Sequence, residues 1–225
     1  KLFKIIFEKN IYNETSFKIF KKLKILPSGN FILSGMNLAF LGYFANREVY
    51  PHKLLYHWPD GIWIKNLINI TKVPGRELIE KIKLTKDIKK ILILGNMSQN
   101  SKNFLTRKFK VEIKHQNLPF GNIEKIIKTK IRLLKNTLTL ITLPTPKQEK
   151  LAYYLMKKNK HFKIICIGAS IAIASGDEKP VPAKFKNYEF LWRLRSDFFR
   201  RLKRIFETLY FYCKGKYILN IYNKI

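Results

Sequence analysis

Short apolar runs and helical patterns alternate through the middle and end of the chain. Lys90–Gly95 (KILILG) predicts a buried strand closed by glycine, followed by a polar loop and a helix over Gln99–Phe109. A second strand is expected at Lys110–Lys114. A helix over Asn122–Lys135 would place Ile123, Ile126, Ile127 and Ile131 on one face. Leu138–Leu143 predicts a third strand, Lys147–Lys157 a helix and Lys163–Gly168 a fourth strand. Continuous apolar strands separated by helices indicate a parallel sheet covered on both faces. The expected fold is therefore α/β and Rossmann-like, with ligands beyond the carboxyl ends of the strands.

The first 85 or so residues are less regular. Strands are expected at Leu2–Phe7, Asn30–Met36 and Leu54–His57, and helices at Glu14–Leu23, Asn37–Ala45 and Gly75–Leu84. After Gly176 the composition turns to Pro, aromatic and Arg residues. This shift divides the chain into a Rossmann-like domain over residues 1–180 and a C-terminal appendage over 181–225. The appendage contains the strongest helical pattern, Tyr188–Tyr212. There Leu191, Leu194, Phe198, Leu202, Ile205 and Leu209 share one side, and Arg193, Asp197, Arg200 and Arg204 share the other. Such a helix either packs on the domain or lies in a membrane interface.

Composition narrows the function. In 225 residues, hydrophobic positions make up 46% and charged ones 27%, which excludes a disordered chain. Lys and Arg number 45 against 15 Asp and Glu, a formal net charge of +30 that calls for an anionic partner. The lysines are diffuse, in a chain also rich in Ile, Asn, Phe and Tyr, and by themselves describe solvated helix faces. Of the nine arginines, Arg193, Arg195, Arg200, Arg201 and Arg204 are packed together, and guanidinium groups bind phosphate bidentately. The two cysteines cannot form a disulfide framework, which fits a reducing compartment. No stretch reads as transmembrane: Phe31–Ala45 is too short and is interrupted by Ser34, Gly35, Asn37 and Gly42. A cytoplasmic protein lying against a membrane is expected.

Metal-ligand spacings, a phosphate-binding G-x-x-x-x-G-K-[ST] loop and the dinucleotide G-x-G-x-x-G pattern are all missing from the sequence. Two segments stand out. His57-Trp58-Pro59-Asp60-Gly61 follows an expected strand and places Asp60 where a carboxylate can act as general base on a hydroxyl. Asp-Gly is equally a turn dipeptide, and local sequence alone favours the turn. Leu143-Pro144-Thr145-Pro146-Lys147-Gln148-Glu149 joins a strand to a helix, where free backbone N–H groups, together with Lys147, suit a phosphate. Thr145 as N-cap, Pro146 at the first helical position and Gln148 two residues later also spell a capping box, which makes Gln148 a cap before it is a catalyst.

Taken in order, these segments resemble the WecG/TagA/CpsF family of bacterial glycosyltransferases. The resemblance rests on Asn37 in SGMNLAF, Asp60-Gly61, Gly75 in VPGREL, ILILG ending at Gly95, PKQE at Pro146–Glu149, IGAS from Ile167, Gly176, and YEFLWRLRSDFFRRLKR at Tyr188–Arg204. It covers about residues 25–210. It implies an inverting, metal-independent enzyme without a cofactor. Such an enzyme moves a sugar of the N-acetylmannosamine type from a UDP donor to a polyprenyl-diphosphate-linked sugar in cell-envelope polysaccharide synthesis. It further implies Asp60 as general base, Gln148 in the active site, and Asn37, Arg76, Gly95, Lys147 and Gly168 as substrate-binding residues. Arg193, Arg200, Arg201 and Arg204 would engage the lipid diphosphate at the inner face of the membrane.

Departures from the family pattern fall at Gly35, where a Thr is usual, and at Pro144, Ala172, Pro180 and Phe198. Expected partners are the UDP-sugar, the lipid-linked acceptor and an anionic membrane surface, with a second copy of the chain as a further candidate and no specific nucleic acid. The competing readings are a catalytically impaired scaffold and a basic nucleic-acid binder.

Overall fold

A computed structural model describes residues 26–37, 54–60 and 72–178, together with residues 18, 19, 39, 40, 43, 199, 202, 206 and 210. Its strands are β1 (Lys18–Ile19), β2 (Phe31–Met36), β3 (Leu55–Pro59), β4 (Lys90–Leu94), β5 (Glu112–Gln116), β6 (Thr137–Ile141) and β7 (Lys163–Cys166). The helices given with full bounds are α1 (Gly75–Lys81), α2 (Gln99–Phe109), α3 (Ile123–Ile127), α4 (Lys147–Lys158) and α5 (Ser170–Ala174). Ala39, Phe40 and Tyr43 are also helical, as expected for Asn37–Ala45.

Among the described residues every strand pairing is parallel, in the order β1-β3-β2-β7-β6-β4-β5. The expected Rossmann-like α/β architecture is present. All five residues of β6 are buried, because both faces of a parallel sheet are covered. Alternate positions feed two cores. Phe31, Leu33, Trp58, Ile91, Ile93, Leu138, Leu140 and Ile165 pack with Leu78 and Ile79 of α1, Leu105 of α2 and Ile171 of α5. Ile32, Leu55, Leu94, Ile141, Ile164 and Cys166 pack on the other face with Ile126 of α3 and Leu151, Ala152 and Leu155 of α4. Complete burial of one such side chain contributes about 1.5–3 kcal/mol, so these two layers hold the sheet between its helices.

Several expectations need correction. The helix expected over Glu14–Leu23 is contradicted at Lys18–Ile19, which pair with Tyr56 and His57 along the outer edge of β3. An open strand edge offers backbone partners that a short helix pattern does not outweigh. The second strand begins at Glu112 rather than Lys110, because Lys110 ends α2 in the left-handed conformation (φ 52°) and cannot extend a ladder. The helix from Asn122 stops at Ile127. Continuing it would bring Lys128 and Arg132 into line with Lys125 at repelling helical spacing, and the Lys130 carbonyl instead accepts from Gln116 Nε2 at 3.1 Å. Helix α2, by contrast, matches its expected bounds: Ser98 Oγ accepts from Ser101 N at 2.9 Å as its N-cap. The strand expected at Leu2–Phe7 lies outside the described residues.

Candidate active site

The carboxyl ends of the strands gather most of the candidate residues on one edge of the sheet. After β4 the chain runs outward to β5, and after β6 it runs the opposite way to β7, so a crevice opens between the ends of β4 and β6. A cavity of about 460 Å³ lies there, lined by Asn96, Ser98, Ser101, Asn117, Thr142 and Asp177 among others. Gly95 closes β4 at φ 119°, and a Cβ on it would stand 2.4 Å from Thr142 Oγ1. Glycine is required there so that Thr142 can donate to the Asn96 carbonyl at 3.1 Å. The geometry thus gives Gly95 a packing task at the cavity rim.

Asp177 gathers donors from two helices at the mouth of this cavity. Its Oδ2 accepts from the hydroxyls of Ser98, Ser101 (2.6 Å) and Ser175 (3.0 Å), and its Oδ1 accepts from Asn100 Nδ2 at 2.8 Å. These bonds, Ser101 foremost, hold its carboxyl well below the usual range although the side chain is exposed. The carboxylate also sits at the N-terminus of α2, where negative charge is favoured.

Asp60 stands where the sequence places it, directly after β3. Its N–H donates to the Met36 carbonyl at 3.0 Å, and Asn37 Nδ2 donates to Asp60 Oδ2 at 3.3 Å. Asn37 Oδ1 accepts from Phe40 N at 3.0 Å, so the Asn37 amide is fixed at both ends. Gly35 opens the space for this pair: a Cβ there would lie 3.0 Å from the Trp58 ring and 3.2 Å from Asp60 Cβ. Arg76 follows the first residue of α1, and Val73 N, three residues earlier, donates to the Pro59 carbonyl at 2.7 Å. That bond seats the start of α1 beside the end of β3.

Gln148 is buried and does not form the capping box expected at Thr145. Helix α4 begins at Lys147 with Pro146 as its N-cap and no capping side chain. With Thr145 one residue outside the helix, its hydroxyl turns inward to accept from Gln148 Nε2 at 3.1 Å and to donate to Glu149 Oε1 at 3.3 Å. Gln148 Nε2 also donates to Glu149 Oε1 at 2.9 Å, while Gln148 Oε1 accepts from Gly168 N at 3.1 Å. Both amide N–H groups are therefore engaged within the protein. Lys147 Nζ donates to the Gly121 carbonyl at 2.6 Å and is not among the described residues lining the cavity. Arg193, Arg200, Arg201 and Arg204 lie outside the described residues.

A buried polar layer, not foreseen in the sequence, underlies this edge on the α4 face. Ser34 Oγ donates to Glu149 Oε1 at 2.7 Å. His57 is fully buried against the Phe40 ring, with centroids 4.6 Å apart. Burial lowers its pKa to about 3 in spite of a backbone hydrogen bond at Ser34. Burial raises the Glu149 carboxyl, opposed by the bonds from Ser34, Gln148 and Thr145. The Cys166 thiol is pushed up by burial and by the nearby Glu149. The available signal was position: Glu149 is three residues from Ala152, on the inward stripe of α4, and Ser34 interrupts an otherwise apolar strand.

A doubly wound parallel sheet with a cleft at its carboxyl edge is the arrangement in which α/β proteins bind their ligands. The model of the glycosyl transferase WecG/TagA/CpsF family matches residues 54–220, and the chain belongs to that family. It is accordingly a glycosyltransferase. The match includes Asp60, Gln148 and the C-terminal arginines, whereas Asn37 precedes it. Among curated proteins none matches the chain.

Proposed function

We propose that this glycosyltransferase moves a sugar, with inversion, from a UDP donor to a polyprenyl-diphosphate-linked sugar at the inner surface of the cell membrane. The observation that carries the reading is Asp60, a carboxylate at a strand end oriented by Asn37 at 3.3 Å. Asp60 takes the proton of the acceptor hydroxyl as that oxygen attacks the anomeric carbon, and UDP departs from the opposite face with the bonding electrons. One displacement inverts the anomeric centre. Asn117 and Thr142, set among the apolar Met97 and Ile171 in the cleft's lining, offer amide and hydroxyl groups to the hydroxylated part of a nucleotide sugar. Charge building on the leaving diphosphate is met by cationic side chains of the chain itself, Arg76 and the arginines at 193, 200, 201 and 204, so that the reaction is metal-independent.

Membrane attachment rests on the appendage. Residues 199, 202, 206 and 210 are helical, with Phe199, Phe206 and Tyr210 exposed at spacings that share one helix face. Among the described residues no helix is long and apolar enough to cross a membrane. The acceptor is then met at the bilayer surface.

The deciding experiment measures UDP release from a panel of UDP-sugars with a soluble prenyl-diphosphate-GlcNAc analogue as acceptor. Acceptor-dependent release that falls by about 10²-fold or more in Asp60→Asn, with donor binding retained, supports the reading. Absence of release from every UDP-sugar by the folded wild type would overturn it.

A further inference from the structure

Glu149 has no assigned task, yet it is the hub of the buried layer. Its side chain is fully buried. Oε1 accepts three hydrogen bonds, from Ser34 on β2, from Thr145 in the loop before α4 and from Gln148. Oε2 is buried as well and has no hydrogen-bond partner among the described residues. Gln148 Oε1 in turn accepts from Gly168 N at 3.1 Å, an N–H shared with the Ile141 carbonyl at 3.2 Å, and Gly168 lines the cavity at the end of β7.

The orientation of the Gln148 amide is what this arrangement decides. With Oε1 of Glu149 on one side and the Gly168 N–H on the other, only one of the two amide orientations is satisfied. The flipped amide would set oxygen against oxygen and N–H against N–H. We infer that Glu149 is a positioning residue: by fixing the Gln148 amide it fixes the Gly168 backbone and the wall of the donor cavity. That the cavity receives the donor rests on the reading above, whereas the relay from Ser34 to Gly168 does not. Ser34 is adjacent to Gly35, the residue that makes room for Asp60, so the same strand supports the base and the cavity wall.

The test uses the full chain with Glu149→Leu, Glu149→Gln and Ser34→Ala, and reads amide hydrogen exchange and UDP affinity. Glu149→Leu removes the acceptor, and exchange at Gly168 should accelerate by about tenfold, with UDP affinity weakening by a similar factor. Glu149→Gln keeps an oxygen for the same donors and should stay within about threefold of wild type in both readouts. The acceleration should be confined to Gly168, with Ile93 in β4 unchanged. Uniform acceleration at both sites would mark a structural role and overturn the proposal, as would a folded Glu149→Leu with wild-type exchange at Gly168.

Should Glu149→Leu fail to fold, Ser34→Ala decides. Faster exchange at Gly168 alone supports the relay, and unchanged exchange overturns it. If UDP binds neither wild type nor variants, the donor reading fails and the exchange measurement alone judges the relay.

Discussion

Gly35 and Asp60 share one small volume: a Cβ on Gly35 would stand 3.2 Å from Asp60 Cβ and 3.3 Å from its Oδ2. The space that a side chain at position 35 would need is therefore filled by the flank of the proposed base itself, with the buried Trp58 ring closing the other side.

Gly35→Ala should accordingly push Asp60 away from Asn37. Overpacking of this kind costs about 1–3 kcal/mol. Chemical denaturation measures that loss, and sugar transfer should fall further than stability alone explains. Wild-type turnover in Gly35→Ala would show that the geometry of Asp60 tolerates displacement.

Helices α1 and α5 touch through glycine in the same way. A Cβ on Gly75 would lie 2.1 Å from Ser170 Oγ and 3.0 Å from Ser170 Cβ. Gly75→Ala should destabilise the protein by about 1–3 kcal/mol. Adding Ser170→Ala removes the closer clash and should recover part of that loss, whereas strictly additive effects in the double-mutant cycle would contradict the contact.

Acid should unfold the protein partly through His57. Its folded pKa of about 3 lies below the ordinary 6.5, so the neutral ring is favoured by folding. That stability is fully present above pH 6.5 and is lost as pH falls from there toward about 3. His57→Phe should flatten the fall in unfolding free energy between about pH 6.5 and about pH 4, where each pH unit costs up to about 1.4 kcal/mol. Glu149 acts in the opposite sense. Its raised pKa gives stability that is present below 4.5 and declines as pH rises through the folded value, and Glu149→Gln should remove that decline. Urea titrations across this range separate the two.

Phe199, Phe206 and Tyr210 are 84%, 63% and 62% exposed. Replacing all three with Ser should weaken sedimentation with anionic vesicles by about tenfold or more. Added salt should weaken what binding is left, through the screened arginines. Undiminished sedimentation of the triple variant would remove the appendage from the membrane contact.

Much of the sheet was legible because its strands are short apolar runs buried on both faces. β4 needed only KILIL between polar flanks, and α2 carries its own N-cap at Ser98. β1 was not legible, since two residues at a sheet edge owe their conformation to β3 rather than to their own pattern. Asp60 was visible as a strand-end carboxylate, but the Asn37 bond and the space left by Gly35 depend on strands 23 or more residues apart in the chain. The polar layer was hidden for a related reason. Thr145 and Gln148 spell a local cap, and only the arrival of Gly168 and Ser34 through tertiary packing redirects them. A sequence shows what a residue offers its neighbours along the chain, and here the decisive neighbours arrive from β2 and β7.

The place of β7 has a consequence for the order in which the molecule becomes complete. Among the described residues β7 is the last strand in chain order, yet it stands between β2 and β6, pairing Phe31 with Lys163 on one side and Thr139 with Ile164 on the other. A nascent chain that ends before Lys163 lacks the strand that joins β2 to β6, and with it the Gly168 wall of the cavity. Closing that gap joins segments more than a hundred residues apart, the slowest kind of contact to form. The enzyme is thus assembled like an arch, inert and adhesive at its inner edges until its last stone is set.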